Sequence, residues 1–272
     1  MKKSIIKKIL LKTNLYSLFE TINYWGKKIT NANSNKAFLK QHPNVVIPPS
    51  FYMYETFGLS YESYYYGGKK TAEWIVNYIE KYVFSENKRI LDWGCGPGRV
   101  VRHLPSLLDK SKNEFFGADY NQKYVNWCGE NISNISFVKN ELSPPLKFDN
   151  DFLDFVYVIS IFTHLSEEKH ILWIKELNRV LKEEGVILIT THGSVFLNKL
   201  EKEKQKLFLE GEFTEHRYRK EGNRLYAAYQ PTKFFRKLCE SNGFEVLEHV
   251  EGTIVKGKPQ QDVWILRKKD TI

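Results

Sequence analysis

Arg89-Ile-Leu-Asp-Trp-Gly-Cys-Gly-Pro-Gly-Arg99 is the stretch that decides the fold class. A short apolar run ends in a glycine cluster at Gly94, Gly96 and Gly98, and Arg99-Val-Val-Arg-His-Leu-Pro105 then starts a helical pattern. Glycine tolerates positive φ and lets backbone pass close to a ligand. In open parallel sheets such a turn lies at the carboxyl ends of the strands, where nucleotides bind. A dinucleotide fingerprint needs its third glycine at position 99; Arg99 stands there, and the glycine comes one place early. Asp92 precedes the first glycine by two positions.

Outward from this turn the strand–helix rhythm continues. Glu114-Phe-Phe-Gly-Ala-Asp119 reads as a second strand and residues 121–131 as a helix. Ile135-Ser-Phe-Val138 is a third strand, and residues 155–159 form a near-continuous apolar strand, as expected where helices cover both sheet faces. Residues 166–182 place Ile171, Leu172, Ile174, Leu177 and Leu181 at helical core spacing. Gly185 ends that helix, and Val186-Ile-Leu-Ile-Thr190 is a fifth strand. Alternation of this kind specifies an α/β doubly wound parallel sheet.

The combination of Ile90-Leu-Asp-Trp-Gly-Cys-Gly-Pro-Gly-Arg99 with Asp119, the Asn140-Glu141-Leu142 turn, the strand running into Ser160 and Leu181-Lys-Glu-Glu-Gly185 resembles class I S-adenosylmethionine-dependent methyltransferases. Residues 243–247 and 261–266 look like that family's closing strands. The resemblance implies a Rossmann-like, mostly parallel seven-stranded sheet whose last strand is antiparallel. It implies S-adenosylmethionine as cofactor, S-adenosylhomocysteine as product and no metal. By position, backbone around Gly94, Cys95, Gly96 and Gly98 lines the methionine end, Asp92 orients that loop, and Asp119 accepts hydrogen bonds from the ribose hydroxyls. Tyr120 packs on the adenine, Glu141 and Leu142 read its edge, and the Ser160 carbonyl approaches the amino-acid end. Cys95 is not expected to act as a nucleophile.

Two histidines sit at expected strand ends facing the pocket, His164 in Ser160-Ile-Phe-Thr-His164 and His192 in Thr190-Thr-His192-Gly193. Imidazole titrates near neutrality, which makes each a candidate base for a hydroxyl acceptor. Ser160-Ile-Phe-Thr163 is not the Asp/Asn-Pro-Pro-aromatic turn of exocyclic-amine methylation, and no cysteine follows the fourth strand for pyrimidine C5 chemistry.

The flanks carry the acceptor question. Residues 1–87 are expected to form an amphipathic, aromatic-rich helical cap and residues 88–272 the catalytic domain, with 194–230 as a lid-like insertion between strands 5 and 6. Residues 51–66 hold eight Phe and Tyr rings ahead of Gly67-Gly68; Tyr65 and Tyr66, beside that glycine pair, are the two expected at the cofactor pocket. This aromatic and glycine placement resembles methyltransferases of bacterial surface-glycan biosynthesis, which implies O-methylation of a sugar or sugar-linked group in polysaccharide synthesis. A small metabolite or a phosphorus-bound oxygen is the alternative acceptor, with RNA behind both. Arg217 and Arg219, in His216-Arg-Tyr-Arg-Lys220, could meet an acceptor phosphate.

The formal charge of +9 divides as +6 over residues 1–87, −1 over 88–191 and +4 over 192–272, so the core is neutral and nucleic acid is the less favoured partner. Residues 1–20, with Ile5-Ile-Lys-Lys-Ile-Leu-Leu-Lys12, carry an apolar stripe beside lysines. They could lie on an anionic membrane surface, on the protein's own core or on a second subunit. Three dispersed cysteines and no spanning apolar stretch point to a cytoplasmic protein, with the inner membrane face as one location.

Overall fold

The computed structural model describes residues 15–270, so the basic opening at residues 1–14 lies outside the described residues. The chain divides into two compact units, one ending at Lys70 and one beginning at Thr71.

The first unit is helical: α1 (Leu15–Thr30), α2 (Ala32–Gln41), α3 (Ser50–Thr56) and the first part of α4 (Tyr61–Tyr82). Its core is Met53, Tyr54, Leu59 and Tyr64, with Tyr24, Ile47, Tyr61 and Tyr65 packed against them. Much of the aromatic run therefore serves local packing. The expected boundary near residue 87 falls instead at 70/71, for a reason of periodicity. Ala72, Ile75, Val76 and Ile79 recur on one face of α4 and are buried in the core of the second unit. Burying Ile75, Val76 and Ile79 contributes about 1.5–3 kcal/mol each, so the second half of α4 belongs with the sheet.

That sheet has seven strands in the order β3-β2-β1-β4-β5-β11-β8. The strands are β1 (Arg89–Trp93), β2 (Glu114–Asp119), β3 (Ser136–Lys139), β4 (Leu153–Val158), β5 (Leu181–Thr191), β8 (Phe244–Val250) and β11 (Asp262–Lys268); β9 (Ile254–Val255) and β10 (Lys258–Pro259) form a separate hairpin, and helix α6 (Gln122–Asn131) joins β2 to β3. Six run in one direction, and β11, between β5 and β8, is antiparallel to both. Neighbouring residues of each strand point to opposite faces, so the core splits in two. Leu91, Phe116, Val156 and Ile187 pack with Trp173, Ile174 and Leu177 of α7 (Glu167–Val180) and Phe235 of α9 (Thr232–Glu240). Ile90, Phe115, Phe155 and Val186 pack with the α4 face on the other side.

Two elements differ from the sequence pattern. After the glycine turn there is one 3-10 turn (Val101–His103) and one short α-helical turn, α5 (Leu104–Leu107), where a longer helix was expected. Pro105 lacks the N–H that a longer helix would need. Strand β5 starts at Leu181, which pairs with Leu153 before a register shift, rather than at Val186.

The 194–230 insertion forms a 3-10 segment (Ser194–Lys199), a charged helix α8 (Lys202–Glu210), and a separate antiparallel hairpin of β6 (Thr214–Arg217) and β7 (Tyr226–Tyr229). Phe196, Leu200, Phe208 and Tyr229 are its own small core.

Candidate active site

The strand order reverses between β1 and β4, which opens a crevice beyond their carboxyl ends. A cavity there is lined by Trp93, Gly94, Asp119, Tyr120, Asn140, Glu141, Leu142, Ile161, His164, Leu165, Trp173 and Gly222. Six of these are residues singled out from the sequence: Gly94, Asp119, Tyr120, Glu141, Leu142 and His164.

The glycine turn builds one wall. Gly94 and Cys95 both donate backbone N–H bonds to Ala118 O, at 2.7 and 3.0 Å, tying the turn to β2. Gly94 holds φ +83°, and a Cβ there would come within 2.1 Å of Ile161 Cδ1. Only glycine lets the loop after β4 approach this closely.

Asp119, at the end of β2, is buried, and each carboxylate oxygen accepts one backbone N–H: Oδ2 from Gly96 at 2.9 Å and Oδ1 from Asn121 at 2.8 Å. Burial pushes its pKa up to about 6, opposed by the Asn121 and Gly96 bonds. A carboxylate offers about four acceptor positions, so both oxygens retain capacity for further donors. Beside it, Asn140 is buried and its Oδ1 has no hydrogen-bond partner, while its Nδ2 donates to Glu141 O at 2.7 Å. A buried acceptor left unsatisfied costs about 1–3 kcal/mol, so this oxygen faces a place where a ligand donor fits.

The other expected residues fall into distinct places. Asp92 is buried below the turn, and burial raises its pKa to about 7 against the pull of the Tyr157 hydroxyl and Arg99. Cys95 is buried, its thiol pushed well up by desolvation, which agrees with an unreactive role. Ser160 takes φ +63°; its carbonyl accepts from Thr163 Oγ1 at 2.6 Å and its hydroxyl donates to Gln261 Oε1 at 2.9 Å. Ile161 and His164, its neighbours, line the cavity in its stead. Glu141 is exposed and ion-paired to Lys139. Tyr65 and Tyr66 belong to the first unit, where the Tyr66 hydroxyl pairs with His42 Nε2 at 2.8 Å. Arg217 is exposed and paired with Glu215, and Arg219 is exposed in the β6–β7 connection.

The insertion contributes what the sequence did not reveal. Gly222, in the β6–β7 connection, reaches the cavity: its N–H donates to His164 O at 2.9 Å, and the Tyr120 hydroxyl donates to its carbonyl at 3.2 Å. Strand β7 also orients both candidate histidines. His164 Nδ1 lies 2.8 Å from Tyr226 O and His192 Nδ1 lies 3.0 Å from Ala228 O. A carbonyl only accepts, so both rings carry their proton on Nδ1 and present an unprotonated Nε2. Burial holds both neutral, lowering His164 to about 4 and His192 to about 3, the latter aided by the neighbouring His164 and Lys199. Neither Nε2 has a hydrogen-bond partner among the described residues.

Gln230, fully buried just after β7, joins the two histidine loops. Its Oε1 accepts from His192 N at 3.0 Å, and its Nε2 donates to Phe162 O and to His170 Nε2, each at 3.0 Å. No local periodicity marks such a residue in the sequence. Gln230→Glu keeps the shape and removes both donated bonds. It is expected to lose about 2–4 kcal/mol of stability, read as a fall in thermal midpoint of roughly 4–16 °C; an unchanged midpoint would remove Gln230 from this role.

Residues 90–185 match the family described as a methyltransferase domain. A curated relative, the tRNA N(3)-methylcytidine methyltransferase trm140 of Schizosaccharomyces pombe, is 26% identical over 146 residues, 51% of this chain. The match spans 46% of that protein, less than half its length. Among solved structures, magnesium protoporphyrin IX methyltransferase from Synechocystis, with S-adenosylhomocysteine bound, superposes with TM-score 0.54 at 16% identity, covering 89% of this chain and all of that one. An S-adenosylmethionine-dependent methyltransferase from Methanosarcina mazei gives 0.52 at 20% identity, over 71% of this chain and 97% of its own. These structures share the Rossmann-like fold. Residues 90–185 carry a methyltransferase domain.

Proposed function

We infer that this methyltransferase domain serves O-methylation of a hydroxyl on a sugar or sugar-linked acceptor in glycan synthesis. The observation that carries the O-methyl reading is His192, neutral, anchored through Nδ1 to Ala228 O and presenting an unprotonated Nε2.

The residues of the cavity fit the cofactor. Asp119 has acceptor capacity for two vicinal hydroxyls, the unsatisfied Asn140 Oδ1 suits an amino donor of a purine, and Trp93, Ile161, Leu165 and Trp173 give apolar walls for the base. When bound, S-adenosylmethionine supplies an electrophilic methyl group on sulfur. His164 shares the cavity with Asp119 and Tyr120, which supports a role toward the cofactor; His192 is not among its lining residues, and we assign it to the acceptor. As an acceptor oxygen gains a methyl group its proton becomes that of an oxonium, acidic enough for a weakly basic imidazole to remove. His192 therefore needs no pKa near neutrality to act as the base; it needs the correct tautomer, which Ala228 enforces. Arg217 and Arg219 suit a phosphate on the acceptor.

The sugar class rests on the aromatic and glycine placement of residues 51–68. A phosphorus-bound oxygen or small metabolite would suit the same arginines. RNA is the second reading, favoured by the similarity to the S. pombe tRNA enzyme. Incubating the purified chain with methyl-labelled S-adenosylmethionine and separate pools of nucleotide sugars, sugar phosphates and total tRNA decides among these. Alkali-stable label in a sugar pool is the expected result. Label confined to tRNA would overturn the assignment.

A further inference from the structure

Helix α1 packs the wrong way round for a helix stabilised by its own fold. The side facing its unit is polar: Asn23 Nδ2 donates to the Tyr54 hydroxyl at 2.9 Å, the Tyr54 hydroxyl donates to Glu20 Oε2 at 3.0 Å, and the Tyr24 and Ser50 hydroxyls pair at 2.6 Å. Opposite lies an apolar stripe at i, i+4, i+7 and i+11. Leu18, Ile22, Trp25 and Ile29 are 57%, 63%, 53% and 72% exposed, with Phe19 beside them. A soluble helix normally turns this stripe to the core. Four such side chains in one row are more than scattered surface apolarity and mark a contact surface.

Charge identifies what the stripe meets. Residues 1–54 contain nine lysines, no arginine and a single acidic residue, Glu20, a net of +8. The remaining residues 55–272 are nearly balanced, so almost the whole basic excess of the sequence falls in the segment that contains this helix. Two copies brought together on this face would juxtapose two such segments, and like charges at an interface oppose it. An anionic surface is the complementary partner. Within α1, Lys28 Nζ lies 4.9 Å from the Trp25 ring centroid, placing a cation and an indole at one edge of the stripe, an arrangement suited to the boundary between lipid headgroups and acyl chains. Among the described residues no helix is long and apolar enough to cross a bilayer.

We propose that the outward face of Leu15–Thr30 docks in the plane of an anionic lipid bilayer, with Leu18, Ile22, Trp25 and Ile29 entering the acyl boundary and Lys27 and Lys28 meeting headgroup phosphates. Of the residues 1–20 expected to carry a surface contact, 1–14 lie outside the described residues; the exposed stripe runs from Leu18 to Ile29.

The test uses the full chain, sedimented with vesicles of phosphatidylcholine alone or mixed with phosphatidylglycerol. The mixed vesicles are expected to bind at least about tenfold more protein, with binding falling as salt is raised. A triple variant, Ile22→Ser with Trp25→Ser and Ile29→Ser, is expected to lose that binding by tenfold or more while keeping its circular dichroism and its affinity for S-adenosylmethionine. Lys27→Gln with Lys28→Gln, at exposed positions, is the second probe and should reduce the salt-sensitive part without disturbing the fold. Wild-type protein that ignores anionic vesicles overturns the proposal, as does a folded triple variant that binds like wild type. A lipid-free dimer that the triple variant dissociates also overturns it, by giving the face to a second copy.

Discussion

Asp119→Ala is expected to weaken binding of S-adenosylmethionine by at least about a hundredfold. Two hydroxyl donors to one carboxylate are charge-assisted bonds of about 1.5–3 kcal/mol each, and every 1.4 kcal/mol is tenfold. Titration calorimetry reads the loss directly. The carboxylate also holds the N–H groups of Gly96 and Asn121, so the control is the thermal midpoint of the unliganded variant. A folded variant with unchanged affinity would falsify the ribose assignment. The pH dependence follows from burial, which raises the Asp119 pKa to about 6. Hydroxyl donors favour the ionised form, so affinity is full above pH 6 and declines as pH falls below it, by up to about tenfold per unit. Asp119→Asn has nothing to titrate there and should show no such decline.

His192→Ala is expected to lower kcat by about 10²–10⁴-fold, the usual contribution of a positioned base, with the affinity for S-adenosylmethionine unchanged. His164→Ala should behave differently, raising the dissociation constant of the cofactor and changing kcat less. Loss in kcat alone marks an interaction made only in the transition state. Single-turnover methylation with the best acceptor from the sugar pools separates the two variants; if neither slows methyl transfer, positioning alone carries the chemistry. Because burial holds His192 at about 3, kcat should show no acid limb between pH 5 and 7. A fall in kcat/KM in that window belongs to the buried carboxylates Asp119 and Asp92, raised to about 6 and about 7, and Asp119→Asn isolates the Asp92 part.

Local pattern was enough for most of the frame. The β1 strand, the glycine turn, Asp119 and the α7 periodicity announce themselves within short windows, because strand alternation, turn chemistry and helical spacing are properties of neighbours in the chain. The α4 boundary was also legible in Ala72, Ile75, Val76 and Ile79, although the tyrosine run ahead of them drew the whole helix into the cap. Gln230 and Gly222 were not legible. A buried glutamine that bonds to Phe162, His170 and His192, and a loop glycine that meets His164 and Tyr120, are defined by partners far away in sequence.

The same division holds at the amino-terminal helix and at the histidines. The amino-acid order determined that α1 has an apolar stripe among lysines and that His164 and His192 follow strands of the sheet. Only the tertiary structure decided that the stripe faces outward, since a stripe is a property of one helix whereas its direction depends on what packs behind it. It also set the tautomers of His164 and His192, because the hydrogen bonds to Tyr226 and Ala228 depend on the insertion packing against the end of the sheet.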